Sequence, residues 1–157
     1  MSARHDHCPE CGCEIGAKKR RSIPDHRRLM ALIHQAFTSW PEAHEFQPES
    51  AEHLRAWLIC KAGWRQATPI QFGRDTDADV MVLAMTAAIR AASGTAFVVP
   101  HGTGVAVIAP KSMSFRAMGQ QEFGLLRDAI TDLIKAETGI DAESVSRETL
   151  TPATRPG

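Results

Sequence analysis

A chain of 157 residues can bury one core and carry a small appendage, and its 43% apolar and 23% charged residues exclude a disordered or fibrous protein. No apolar run reaches the ~18 residues of a membrane span, because Arg, Lys, Asp or Gly interrupts each one. The formal net charge is zero, from 18 basic and 18 acidic residues, but the charges are unevenly spread. Six bases (Lys18, Lys19, Arg20, Arg21, Arg27 and Arg28) and one acid, Asp25, lie between Lys18 and Arg28, leaving 12 basic and 17 acidic residues elsewhere.

The N-terminal MSARHDHCPECGC has no apolar stretch of the kind a secretory signal needs, so the expected address is the cell interior. There a cluster of cysteines reads as metal ligation before disulfide bonding. Cys8-Pro-Glu-Cys11-Gly-Cys13 has the form of a zinc knuckle. Pro and Gly shape a loop whose amides point at the sulfurs, and two intervening residues let Cys8 and Cys11 reach one tetrahedral ion. Cys13 is the third candidate ligand, and His7, His5 or His26 can supply the fourth. A second CxxC is missing. The fourth cysteine, Cys60, lies beside Ile59 on an expected helix and reads as a packing thiol.

Residues 1–23 thus read as a Cys-rich knuckle and basic connector. From Pro24 the pattern turns helical: Leu29, Leu32, Ile33, Ala36, Phe37 and Trp40 recur at helical spacing between a Ser22-Ile-Pro24-Asp25 start and a Pro41 stop. After a PEAHEFQP loop, a second helix is expected from Ser50 to Ala62, with Leu54, Trp57, Leu58 and Ala62 as its stripe and Gly63 behind it. Residues 64–75 read as irregular. Asp75, Asp77 and Asp79 suit the start of a third helix, whose apolar body is Val80, Leu83, Ala84, Ala87, Ala88 and Ala91. Two β-rich runs, Thr95–Val99 and Val105–Ala109, flank PHGTG and predict one β-hairpin. A KSMSFRAMG loop leads to a last helix over Gln120–Glu137, closed by Gly139, and residues 141–157 form a polar tail. The fold class expected is α+β: a helix-rich single domain over 24–140 with one hairpin and an N-terminal zinc knuckle.

The Lys18–Arg28 run follows directly on the knuckle, and such a run neutralises phosphates with release of counterions. A solvated connector, or a site for a partner protein's acidic face, are the competing readings. Phe115 and Arg116, with Lys111 before them, form a second place where cation and aromatic adjoin. His101 in the hairpin turn could meet a phosphate, although the turn alone explains it. Trp64 could stack on a base, whereas Trp40 and Trp57 fall at core spacing. Ser112 and Ser114 have no identifiable base, no paired carboxylates share an apolar helix face with a His, and no Gly-rich phosphate loop follows a strand. The sequence therefore points away from catalysis.

Three segments, HRRLMALIHQAFTSW (His26–Trp40), LRAWLICKAGW (Leu54–Trp64) and PKSMSFRAMGQQEFGLLRDAITDLI (Pro110–Ile134), resemble a family of tailed-phage and prophage proteins known only as a domain of unknown function. Together they cover about 50 residues, and the Cys-rich segment stands where that family has a sheet region. The resemblance implies a phage or prophage origin, a place in replication, recombination or early control, and a bacterial cytoplasm as the working compartment. It implies no catalytic residue. The expected function is a nucleic-acid-binding accessory protein, for DNA more than RNA. Its structural zinc sits on Cys8, Cys11 and Cys13 with His7 or His26, and its phosphate contacts come from Lys18, Lys19, Arg20, Arg21, Arg27 and Arg28. A non-catalytic module that docks a host protein is the alternative, and a metal-dependent nuclease using His26 or His101 is the third. No membrane contact and no small-molecule substrate are expected.

Overall fold

The computed structural model describes residues 22–73, 76–92 and 94–148. The knuckle and the Lys18–Arg21 run lie outside the described residues. Helix α1 (Ile23–Thr38) starts as its sequence requires: the Ser22 hydroxyl accepts the Asp25 N–H at 3.3 Å, and Pro24 occupies the first turn, where its missing N–H costs nothing. The Ser22 N–H donates to Gln120 Oε1 at 2.8 Å, which ties this start to α4. Helix α2 (Ala51–Lys61) is capped by Ser50, whose hydroxyl accepts the His53 N–H at 3.1 Å. Helix α4 (Gln120–Thr138) ends at Gly139, whose φ of 74° is a left-handed conformation that glycine adopts without penalty.

These three helices make the core. Leu29, Leu32, Ile33 and Ala36 of α1 meet Leu54, Leu58 and Ile59 of α2 and Phe123, Leu126, Ile130 and Ile134 of α4, all buried. Met113 and Met118, from the segment leading into α4, fill the remaining space. Cys60 is buried, as a packing thiol should be, and burial raises its pKa. Trp40 and Trp57 close one end edge to face at 5.7 Å, and the Phe46 ring stacks on Trp57 at 4.9 Å. Helix α5 (Ala142–Glu148), within the polar C-terminal segment, adds Val145 to the same core.

The sheet corrects the expected architecture. The hairpin is present as β2 (Phe97–His101) and β3 (Gly104–Pro110), but the stretch read as irregular contains a third strand, β1 (Arg65–Gln71). The order is β1-β3-β2 and both pairings are antiparallel, so β1 and β2 run the same way on opposite edges of β3. Helix α3 (Ala78–Ala91), capped by Asp77, makes the crossover between them. Pro69 is tolerated because β1 is an edge strand with one neighbour.

Helix α3 turns outward the residues that the sequence gives as its apolar body. Val80, Leu83, Ala84, Ala87, Ala88 and Ala91 are all exposed, and Met81, Val82, Met85 and Ile89 are the half-buried residues that face the rest of the molecule.

Gly104 sits opposite Gln71 on one side and His101 on the other. A Cβ at this position would lie 1.9 Å from the Ile70 carbonyl oxygen, so any side chain forces β1 away from β3. Gly104→Ala should therefore cost about 1–3 kcal/mol in chemical denaturation and loosen β1 in hydrogen exchange. Unchanged stability and unchanged protection of β1 amides would refute this role.

Candidate functional site

An open cleft of about 450 Å³ lies where the start of α1, the first turns of α2 and the end of β3 come together. His26 reaches it from α1; Glu52, Arg55, Ala56 and Ile59 from α2; and Pro110 to Phe115 from the segment after β3. The segments His26–Trp40, Leu54–Trp64 and Pro110–Ile134 each contribute to it, although His26 and Phe115 are far apart in the chain. Buried Ala56, Ile59 and Met113 give the cleft an apolar floor. Its rim is polar.

The KSMSF segment is shaped by its serines. The Ser112 hydroxyl accepts the Ser114 N–H at 3.2 Å, and the Ser114 hydroxyl accepts the Ala117 N–H at 3.2 Å. Amides 117 and 118 also bond to the Ser114 carbonyl at 3.1 Å, closing one helical turn. That turn carries Phe115 outward, leaving it 52% exposed, with its ring 5.7 Å from the His26 imidazole. The His26 ring also lies 6.0 Å from that of Phe123, which is fully buried. An aromatic column thus runs from the core to the surface.

Charges around the cleft are mostly paired. Arg55 is ion-paired with Glu52, one turn away, and its guanidinium also approaches the Met30 sulfur at 3.8 Å. Lys111 binds Glu122 at 2.6 Å, and the Trp64 indole N–H donates to the same carboxylate oxygen at 3.2 Å. The hydrogen bond from Lys111 holds the Glu122 carboxyl below its ordinary range, with Trp64 adding to the effect. Arg27 and Arg116, the chain neighbours of His26 and Phe115, are exposed and make no ion pair among the described residues.

Around the first turn of α1 lies a second groove, of about 520 Å³, between α1, α4 and α5. Arg27, Arg28 and Arg127 line it, with Leu29, Leu32 and Val145 beneath. Arg28 is 3.8 Å from Asp25, and Arg127 is 3.6 Å from Asp25 and 2.8 Å from Asp128. The α1 start therefore separates an arginine-lined groove from the aromatic cleft.

Of the residues that the sequence singled out, His26, Arg27 and Arg28 come together on this one helical turn. Cys8, Cys11, Cys13, His7, Lys18, Lys19, Arg20 and Arg21 lie outside the described residues. Among the described residues no group of three or more His, Cys, Asp or Glu side chains could hold a metal. His101 ends β2, exposed and remote in the fold from the cleft-lining residues. Trp64 packs against the core and bonds Glu122 rather than offering a free face. Sequence reasoning missed Arg55 and Arg127. Each stands on a helix one position after a core residue (Leu54, Leu126), and only the packing of that helix shows which surface such a side chain joins.

No family model, curated protein or solved structure matches the chain. Among the described residues, no helix is long and apolar enough to cross a membrane.

The Glu122 contact yields a signed pH dependence. A carboxylate whose folded pKa is depressed contributes stability above its unfolded pKa, and that contribution is lost as pH falls through the folded value. The stability gap between the wild type and Glu122→Gln should be present at neutral pH. It should shrink as pH drops below the ordinary glutamate value of 4.5. Thermal unfolding between neutral and acid pH measures it, and a gap that stays constant would contradict the Lys111–Glu122 assignment.

Proposed function

We propose that this chain is a nucleic-acid-binding accessory protein of phage or prophage origin, acting in genome replication or recombination, with a structural zinc at its N-terminus. The observation that carries the proposal is the 5.7 Å contact of the exposed Phe115 ring with His26 at the start of α1; their chain neighbours Arg116 and Arg27 make no ion pair among the described residues, and the basic Lys18–Arg21 run directly precedes that start in the sequence. Stacking on an aromatic face needs an unstacked base, so the preferred ligand is single-stranded nucleic acid, DNA in the first instance. Phosphates would be taken by Lys18, Lys19, Arg20, Arg21, Arg27 and Arg28, with exposed Arg116 next to Phe115 in the chain. The resemblance of three converging segments to phage proteins supports the origin.

The same placement gives zinc a purpose. Ser22 is held by Gln120, and Gln120 reaches Asp25 at 3.4 Å, so the basic run is anchored at its C-terminal end. A zinc held by Cys8, Cys11 and Cys13, with His7 or His26 as fourth ligand, would anchor the other end and limit the entropy that the run loses on binding.

Fluorescence anisotropy with labelled single-stranded and duplex oligonucleotides should show tighter binding of the single strand, weakening steeply with salt. Phe115→Ala should weaken the single-strand affinity about 5- to 150-fold, the loss of one stacked base, while affinity for duplex changes little. Charge reversal at Lys18, Lys19, Arg20 and Arg21 should reduce both. No binding at low salt would overturn the proposal and favour a protein-docking role.

Elemental analysis of the purified chain should find one zinc per molecule. Cys11→Ser should abolish it, and retention in His26→Ala would assign the fourth position to His7 or His5. Metal-free protein would remove the zinc from the proposal and leave the aromatic cleft untouched.

A further inference from the structure

The outer face of α3 has no role in the nucleic-acid surface. Val80, Leu83, Ala84, Ala87, Ala88 and Ala91 form an exposed stripe about 140° wide, taking 100° per residue, with no polar side chain inside it. Val80 is 58% and Leu83 72% exposed. Surface helices ordinarily turn charged residues outward, whereas a helix that is apolar all round is covered on all sides. The opposite face of α3 already rests on the molecule, through half-buried Met81, Val82, Met85 and Ile89.

We infer that this stripe is the twofold interface of a homodimer, in which α3 packs antiparallel against α3 of a second copy. The chain outside the described residues is ill suited to cover it: residues 1–21 and 149–157 hold only Met1, Ile15 and Leu150 as large aliphatic side chains, and residues 74, 75 and 93 are polar. The stripe is instead complementary to itself. Its positions are symmetric about the midpoint between Met85 and Thr86, so antiparallel pairing sets Val80 against the partner's Ala91, Leu83 against the partner's Ala88 and Ala84 against the partner's Ala87. Each large side chain meets a small one, the fit that lets two helices approach closely, and the twofold repeats every contact. A parallel pairing would set Leu83 against the partner's Leu83 and leave alanines facing alanines.

Charge agrees with the antiparallel direction. Asp79 and Arg90 stand at opposite ends of the helix on the same flank of the stripe, both exposed, with Arg90 also paired to Glu49 of its own chain at 2.6 Å. Antiparallel helices bring like flanks together, so Asp79 of each copy comes near the partner's Arg90. The contact is one helix about 20 Å long, smaller than a standard interface, so dissociation on the order of 10 µM is expected.

Sedimentation velocity on the full chain, from about 1 to about 300 µM, should show a monomer–dimer equilibrium. Leu83→Glu and Ala88→Lys should each weaken it at least about tenfold by placing a charge against an apolar surface. Mixing the two variants should restore a dimer, because Glu at 83 then faces Lys at 88 of the partner. Circular dichroism of each variant checks that the body is folded; both positions are already exposed. A chain that stays monomeric throughout this range assigns the stripe to some other occupant and overturns the proposal. So does a dimer indifferent to both substitutions, or one that the mixture fails to restore.

Discussion

The contact of the His26 imidazole with both a ring in the core and a ring at the surface is the constraint on which the site depends. Phe123 is fully buried because α4 presents it, with Leu126, Ile130 and Ile134, to α1 and α2. His26 rests on that ring from the first turn of α1, and Phe115 rests on His26. A large exposed aromatic on a loop would ordinarily fold back onto the nearest apolar surface. Here the surface it meets includes the His26 ring, and the turn capped by Ser114 leaves the side chain 52% exposed. The folding of three helices thus fixes an aromatic platform made by residues remote in sequence.

Electrostatics sharpens the location. Most cations of the folded body are spent at home: Arg28 on Asp25, Arg55 on Glu52, Arg90 on Glu49, Lys111 on Glu122, Arg127 on Asp25 and Asp128, and Lys135 on Asp141. Such exposed pairs contribute little to stability, but each lowers the field that a polyanion would feel. Among the described residues Arg27, Lys61, Arg65 and Arg116 make no ion pair; Lys61 lies over the Trp57 ring and Arg65 bonds the Cys60 carbonyl, whereas Arg27 and Arg116 are the chain neighbours of the two residues of the ring pair. The basic run Lys18–Arg21 precedes Ser22 in the sequence, so a chain of zero net charge holds one strongly cationic stretch.

The helices were legible because their signals are local. Ser22, Ser50 and Asp77 cap where hydroxyl or carboxylate oxygens can reach free N–H groups, and Gly139 ends α4 with a positive φ. Strand β1 was not legible. RQATPIQ has no apolar alternation, contains a proline and is almost wholly exposed, so only its pairing with β3 makes it a strand. Helix α3 could be placed but not oriented, because a helix apolar on every side carries no periodic signal for its inner face. For the site, the bases at Arg27 and Arg28, the candidate His26, and the Phe115–Arg116 pair were visible as residue types. Their convergence was not, since it depends on α1 packing against α4, and Arg55 and Arg127 join the site only through that packing.

Photo-crosslinking of a halogenated-uridine single-stranded oligonucleotide to the full chain, with the adducts mapped by peptide mass spectrometry, tests the central claim most directly. Adducts should concentrate in residues 111–118 and 18–28. Adducts confined to the β-sheet or α3, or none at low salt, would contradict the aromatic corner as the place where this protein meets nucleic acid.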